Sequence, residues 1–419
     1  MKKISFLLAL TFLSVFGFSQ NIDEIKDLMS KQQWEKAKTT VDAFLLKEKN
    51  TTKWEGWYYK GIIYNEIAKS EQLKNQFPDA RMNALNAFKK YYEVDPKAIQ
   101  ATLEQHVRLF EIYSNYFDLA AQNFNAKDYA AAFANFKNAL TAEQYIFSKD
   151  LEYNNFKFPA FDTVLYQNIA LAAFMAKQED EAAVYYNKIA EQKIGGTGNE
   201  DVYQYLVDYY SKKKDLINRE KYLHLGNTLY PDSDFWYITE FNDVEDETDK
   251  KKIFAKYEEL IPKYPNKIIL QYNLAVELFN YAYTSDHKPA DYVLTQTKLE
   301  KVINDALVAK PDYTEATVLM AKHIYNLSFD IQDEQRAIKG TKPEDVKKRA
   351  DLKAKLMAKN DEMIRFAEKA YEVYNSKTEL KAIEKGNFKM IADLLSTAYD
   401  LKGNSAKAEE YRKKQESIQ

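Results

Sequence analysis

The chain has 419 residues, 46% of them hydrophobic and 29% charged, a balance that supports packed cores and excludes a disordered chain. Cys is absent, which excludes disulfides, thiolate zinc sites, a cysteine nucleophile and lipid attachment through an N-terminal Cys. Ten Gly and nine Pro are too few for the many tight turns of a β-sandwich or barrel, and 60 basic against 63 acidic residues give no basic excess for nucleic acid.

The first segment, MKKISFLLALTFLSVFGFSQ, is patterned as a signal peptide. Lys2 and Lys3 supply a positive start, Ile4 to Phe16 an uncharged apolar run, and Gly17 and Ser19 the small residues that a signal peptidase reads. The run is shorter than the ~20 apolar residues of a membrane span. Residues 1–19 are therefore expected to be removed, with cleavage between Ser19 and Gln20, and no later segment has transmembrane length. Losing Lys2 and Lys3 takes the 60 basic residues to 58 against 63 acidic, a net charge of −5.

Beyond this leader, apolar residues recur at helical spacing in short paired runs separated by polar turns. IDEIKDLMSKQQWEKAKTTVDAFLL reads as a first pair, its second helix beginning at Trp34. Trp57, Gly61 and Tyr64 mark a first helix, and Ala84, Phe88 and Pro96 its partner. Tyr129 to Ala132 with Phe136 and Ala139 give another second helix. In Tyr166 to Ala190 the small residues Ala170 and Ala182 let two helices approach closely, and Tyr186 is expected to fill the space beside them. VYQYLVDYY and REKYLHLGNTLYPD form a pair closing at Pro231, and the next closes at Pro265, 34 residues later. LQYNLAVELFNYAY opens a unit that ends at Pro311 and carries an insertion around Tyr283 to Asp291. TEATVLMAKHIYNL follows as a first helix, IQDEQRAIKGTKPED as a polar connector, and Glu344 to Tyr374 as a long charged helix. ADLLSTAYDLKGNSAKAEEYRKK gives a last pair around the Gly403-Asn404 turn.

These spacings resemble the tetratricopeptide repeat, a helix–turn–helix of about 34 residues with the pattern W-x2-L-G-x2-Y, then A-x3-F, then P. The resemblance covers most of residues 22 to 416 in seven to nine degenerate units, with departures such as Arg219, which stands where a small residue is usual. It implies an all-α fold, a right-handed α-α superhelix of helical hairpins. Residues 20–311 would be one tetratricopeptide-like solenoid, and residues 312–419 further such helices continuous with it. In this family the first helices line a concave face. That would place Tyr58, Gln167, Gln204, Tyr272, Lys322 and Tyr325 around a partner-binding groove. The family's set of Lys and Asn that clamps a carboxylate on successive first helices is not evident.

The excess of Tyr, 32 in all, includes the doublets Tyr58-Tyr59, Tyr91-Tyr92, Tyr185-Tyr186 and Tyr209-Tyr210. Neighbours on a helix diverge by about 100°, so one ring of each doublet is expected in the core and one off it. A surface Tyr offers large contact area at low entropic cost.

Catalytic patterns are lacking. His106, His224, His287 and His323 show no metal-ligand spacing and are expected at the surface or in a groove. GGTGN, residues 195–199, follows a helix and lacks the Lys-Ser/Thr of a phosphate loop, so it reads as a turn. No G-x-S-x-G elbow occurs, and the carboxylates sit in solvated runs such as EDEA and DVEDET. The short basic runs SKKKD and DKKKI, and the Lys-rich stretch Lys342 to Lys369, read as solvated helix faces. No metal and no cofactor are expected.

The sequence thus points to a non-catalytic protein–protein interaction scaffold that holds a peptide or helix of another protein in a groove. The leader and the Lys/Asn/Tyr-rich composition suggest an exported bacterial protein of Bacteroidetes-like character, in the periplasm or at the cell surface. The alternative is a glycan-binding protein that uses exposed Tyr and Trp on the same frame.

Overall fold

The computed structural model describes residues 22–284 and 287–418, so the signal-peptide segment lies outside the described residues. The described chain is α-helical, and its one β-type pairing is an isolated bridge between Tyr153 and Phe156. It divides into two compact units, with the boundary between Ser233 and Asp234. The boundary expected at residue 311 falls inside the second unit, where the helices on either side of it pack together.

The first unit runs α1 (Ile22–Ser30), α2 (Trp34–Leu45), α3 (Trp54–Lys69), α4 (Ala80–Val94), the short α5 (Ile99–Leu103), α6 (Val107–Asn125), α7 (Tyr129–Ser148), α8 (Thr163–Met175), α9 (Glu179–Glu191), α10 (Glu200–Lys212) and α11 (Leu216–Leu229). The second runs α12 (Phe235–Phe241), α13 (Lys250–Lys263), α14 (Ile268–Tyr283), α15 (Tyr292–Ala309), α16 (Thr314–Ala337), α17 (Pro343–Ser376), α18 (Ala382–Leu401) and α19 (Ser405–Ser417). Helices pack in consecutive pairs, α3 on α4, α6 on α7, α8 on α9, α10 on α11, and in the second unit α14 on α15, α16 on α17 and α18 on α19. The second helix of a pair also packs on the first helix of the next, as α7 does on α8 and α15 on α16. Each pair therefore buries its apolar stripe only with a neighbour's help.

One turn is used repeatedly. Gln32, Lys127, Lys177, Lys214 and Gly403 take left-handed φ values of 55°, 64°, 62°, 57° and 72°. The next N–H reaches five residues back, from Gln33 to Leu28, Asp128 to Asn123, Gln178 to Ala173, Asp215 to Tyr210 and Asn404 to Tyr399. This closes the first helix of the pair by satisfying one of its last carbonyls. At Asp128, Asp215 and Asn404 the side chain then accepts the N–H three residues on and starts the second helix. A single residue so ends one helix and begins the next, which keeps the pair tight.

Close approach follows from small residues where the spacing predicts. Ala170, Ala173 and Ala182 are fully buried between α8 and α9. Gly61 of α3 faces the ring of Phe88 on α4. The aromatic filler is Tyr185, however, and not Tyr186, which is only half-buried. Tyr91 and Tyr92 are both in the core, contrary to the one-in, one-out expectation, because α4 is covered from two sides, by α3 and by α6. The connector expected from Ile331 starts later. Helix α16 continues to Ala337, with Arg336 bonded to Asp333 and Gln332 one turn back and Gln335 donating to the Arg349 carbonyl of α17.

Candidate functional site

Helix α8 is apolar on more sides than its packing requires. Leu165, Tyr166, Ile169, Ala170, Ala172 and Ala173 face the core. On the opposite side Val164, Leu171, Phe174 and Met175 are 62%, 40%, 41% and 39% exposed. Positions 164, 171 and 175 follow i, i+7, i+11 spacing, so these side chains form one stripe along the helix, with Phe174 at its flank. A helix of a soluble protein ordinarily presents polar residues on such a face.

Aromatic side chains of α10 border the stripe. Phe174 meets Tyr205 edge to face at 5.5 Å, Tyr205 stacks with Tyr209 at 6.2 Å, and Tyr186 of α9 lies 4.7 Å from Tyr205. The Tyr205 hydroxyl donates to the Glu179 carbonyl at 2.9 Å and the Tyr209 hydroxyl to Asp180 Oδ1 at 2.7 Å. Gln167, on α8 beside the stripe, donates to Asn199 Oδ1 at 2.6 Å and so ties α8 to the turn before α10. In that turn Gly196 and Gly198 take φ values of 93° and 88°, which fits GGTGN as a turn. Gln204 donates to Glu200 one turn back on α10 at 2.7 Å.

Of the six residues expected around a groove, Gln167 thus flanks the α8 stripe, and Gln204 lies on α10 with Glu200 as its partner. Tyr58 does not line a surface. It is 2% exposed, packed on Phe88 and Tyr91, with its hydroxyl donating to Glu104 Oε1 at 2.6 Å. Its doublet partner Tyr59 is the half-buried ring. A buried phenol needs an acceptor for its proton, and Glu104 of the short segment between α5 and α6 provides one. The remaining three belong to the second unit. Tyr272 of α14 packs on Tyr313 at 5.1 Å. Lys322 and Tyr325 lie on α16, Lys322 over the Phe279 ring at 4.8 Å and Tyr325 against Phe329 at 4.8 Å. Burial holds the Lys322 pKa below its ordinary value.

Two buried ionisable groups escape the sequence reading. His323 is 0% exposed and not on the surface or in a groove, because α15 and α17 cover its side of α16. Burial first, then the charge of Lys359, push its pKa down to about 4, so the imidazole is neutral at pH 7. Glu143 of α7 is also buried, and burial followed by the charge of Asp162 raises its carboxyl to about 8. Neither has a sequence signal, since their burial comes from the helices packed against α7 and α16. No group of three or more His, Asp or Glu among the described residues is placed to hold a metal ion, and no described helix is long and apolar enough to cross a membrane.

No protein-family model matches the chain, and no match is found among curated proteins. Similar solved structures exist. PilW, described as a widely conserved type IV pilus biogenesis factor, is 12% identical over 60% of this chain and 91% of its own, with a TM-score of 0.26. A TPR repeats protein from Bacteroides fragilis is 17% identical over 66% of this chain and 98% of its own, with a TM-score of 0.25. A tetratricopeptide repeat protein from Parabacteroides merdae is 12% identical over 78% of this chain and 98% of its own, with a TM-score of 0.26. By its own helix pairs and turns, the described chain is an all-α array of stacked helical hairpins, and it is similar in this to tetratricopeptide repeat proteins.

Proposed function

We propose that the protein is a non-catalytic scaffold of the bacterial cell envelope that binds an apolar helix or extended segment of another protein on the exposed face of α8. One observation carries this reading: the stripe of Val164, Leu171, Phe174 and Met175, open to solvent on a helix whose other side is fully packed. Such a stripe is costly in water unless something covers it. Met and Phe suit an adaptable apolar contact, and the flanking amide of Gln167 retains its carbonyl oxygen for a partner's main chain. Placement in the envelope rests on the leader sequence alone.

The glycan alternative is less well supported. A sugar platform needs a free aromatic face, and Tyr205 and Tyr209 cover one another while their hydroxyls are committed to Glu179 and Asp180.

The experiment is site-specific photo-cross-linking in the native envelope, with the probe at Leu171 and, as control, at Val308, an exposed apolar position of α15 in the second unit. A single recurrent adduct at Leu171, absent at Val308 and lost with Phe174→Asp, is expected. Identical adducts from both positions, or none from Leu171, would sink the assignment.

A further inference from the structure

Residues 98–106, between α4 and α6, are built unlike the helix-pair turns of the first unit. They hold the short helix α5, which belongs to none of the packed helix pairs. Ala98 at one end, and Gln105 and His106 at the other, take left-handed φ values of 44°, 50° and 57°. None is Gly, and this backbone region is costly for a residue with a Cβ. The repeated turn inside the helix pairs uses one such residue each time.

Apolar burial does little to hold this segment. Ala98 and Ala101 are buried, while its larger apolar side chains, Ile99 and Leu103, are 60% and 76% exposed. Polar tethers hold it instead, and three tyrosines of the α3–α4 pair supply them. The Tyr58 hydroxyl donates to Glu104 Oε1 at 2.6 Å, the Ala101 N–H donates to the Tyr91 hydroxyl oxygen at 3.4 Å, and the Tyr92 hydroxyl is 2.7 Å from His106 Nδ1. Arg108 of α6 binds the same Glu104 at 3.2 Å.

The segment also stands between two spaces. Outside it is an open polar cleft of about 460 Å³, lined by Thr102, Gln105 and His106 and by residues of the 150–157 loop. Beneath it is a void of about 10 Å³ bordered by Tyr58, Phe88 and Tyr92. His106 borders both.

We propose that residues 98–106 form a hinged strap that opens as a unit, turning at Ala98 and at Gln105–His106, while the helices beneath it stay folded. Opening joins the outer cleft to the void and uncovers Tyr58, Tyr91 and Tyr92, an aromatic wall that the closed strap keeps from solvent. Left-handed backbone at the hinges favours release, and the three tyrosine tethers favour closure. A segment with so few buried apolar contacts opens at lower cost than the pair it covers. The proposal does not rest on the α8 face.

The test uses the absence of Cys from the chain. Ala101→Cys places a single thiol beneath the strap, and Ala84→Cys places one in the fully buried face of α4 as control. Each full-length variant is labelled with a thiol reagent in native buffer and in sub-denaturing urea. The thiol of Ala101→Cys is expected to react about tenfold faster than the control or more, with a weaker urea dependence, because strap opening exposes less surface than unfolding. Tyr58→Phe and Tyr92→Phe each keep the ring and remove one tether. Added to Ala101→Cys, each is expected to speed labelling about threefold or more. Gln105→Gly, at an exposed hinge position, is expected to slow it. Amide hydrogen exchange of the chain without any Cys gives a second reading. Exchange at residues 101–106 is expected to be faster than in the middle of α4, and to rise in Tyr92→Phe at the strap alone. Labelling of both thiols at one rate with one urea dependence, or exchange at residues 101–106 that matches α4, overturns the proposal.

Discussion

Gly61 and Phe88 are in contact across the α3–α4 pair: a Cβ on Gly61 would stand 2.7 Å from Cζ of the Phe88 ring. Phe88 is 1% exposed and wedged against Tyr58, so the ring has little room to retreat. Gly61→Leu is expected to destabilise the first unit by ~1–3 kcal/mol through overpacking. Gly61→Ala is expected to cost less, because Ala gains up to ~1 kcal/mol of helix propensity against the same clash. Urea unfolding followed by circular dichroism checks both. Equal midpoints for wild type and Gly61→Leu would show that the contact is looser than the geometry states.

Adjacent residues of α8 should behave in opposite ways. Ala170 is fully buried and Leu171 is exposed. Ala170→Leu is expected to destabilise by ~1–3 kcal/mol, and Leu171→Asp to stay within ~0.5 kcal/mol of wild type, both read by urea unfolding. A Leu171→Asp protein that unfolds early would place this side chain in the core.

The raised carboxyl of Glu143 makes the first unit sensitive to alkaline conditions. Its folded pKa of about 8 lies above the ordinary value of 4.5. The folded state then holds a proton that the unfolded state has lost, and stability falls as pH rises from 4.5 through 8. Glu143→Gln mimics the protonated form. Its melting temperature is expected to match wild type near pH 4.5 and to exceed it by several degrees at pH 9, with the gap opening between them. A gap independent of pH would remove Glu143 as the cause.

His323 produces the reverse dependence in the second unit. Its ring lies among Tyr283 of α14, Gln296 and Glu300 of α15, Asp330 of α16 and Lys359 of α17. Gln296 donates to the Tyr283 oxygen at 3.2 Å, and the Tyr283 hydroxyl is 2.9 Å from His323 Nδ1. One hydrogen bond thus joins the Tyr283 hydroxyl and His323 Nδ1, while Nε2 lies 3.9 Å from Glu300 Oε2 without a hydrogen-bond partner. With a folded pKa of about 4 against the ordinary 6.5, this His contributes stability above pH 6.5 that is lost as pH falls through 4. His323→Gln is expected to flatten that acid limb. Titration of the His323 ring carbons by NMR gives the pKa directly, and a midpoint near 6.5 would refute the buried neutral ring.

Much of this protein follows from local spacing. Ala170 and Ala182, Gly61 and Phe88, and the turn residues Asp128, Asp215 and Asn404 act within one helix pair, where a few residues of separation determine who meets whom. The all-α class and the boundaries of most pairs were legible for that reason. Which ring of a Tyr doublet faces inward was not. The buried arc of a helix is about 100° wide or more, so adjacent residues both qualify until a neighbour covers one side. Tyr92 and Tyr185 went to the core because another helix pair lies against them, Tyr92 on Tyr145 and Tyr185 on Phe133, both of α7. The exposed stripe of α8 and the neutral ring of His323 likewise depend on groups distant in sequence. Sequence alone determined the repeated unit, through short-range helix geometry. Burial and charge pairing were decided only in the tertiary structure, because both are set by what a side chain meets across the stack.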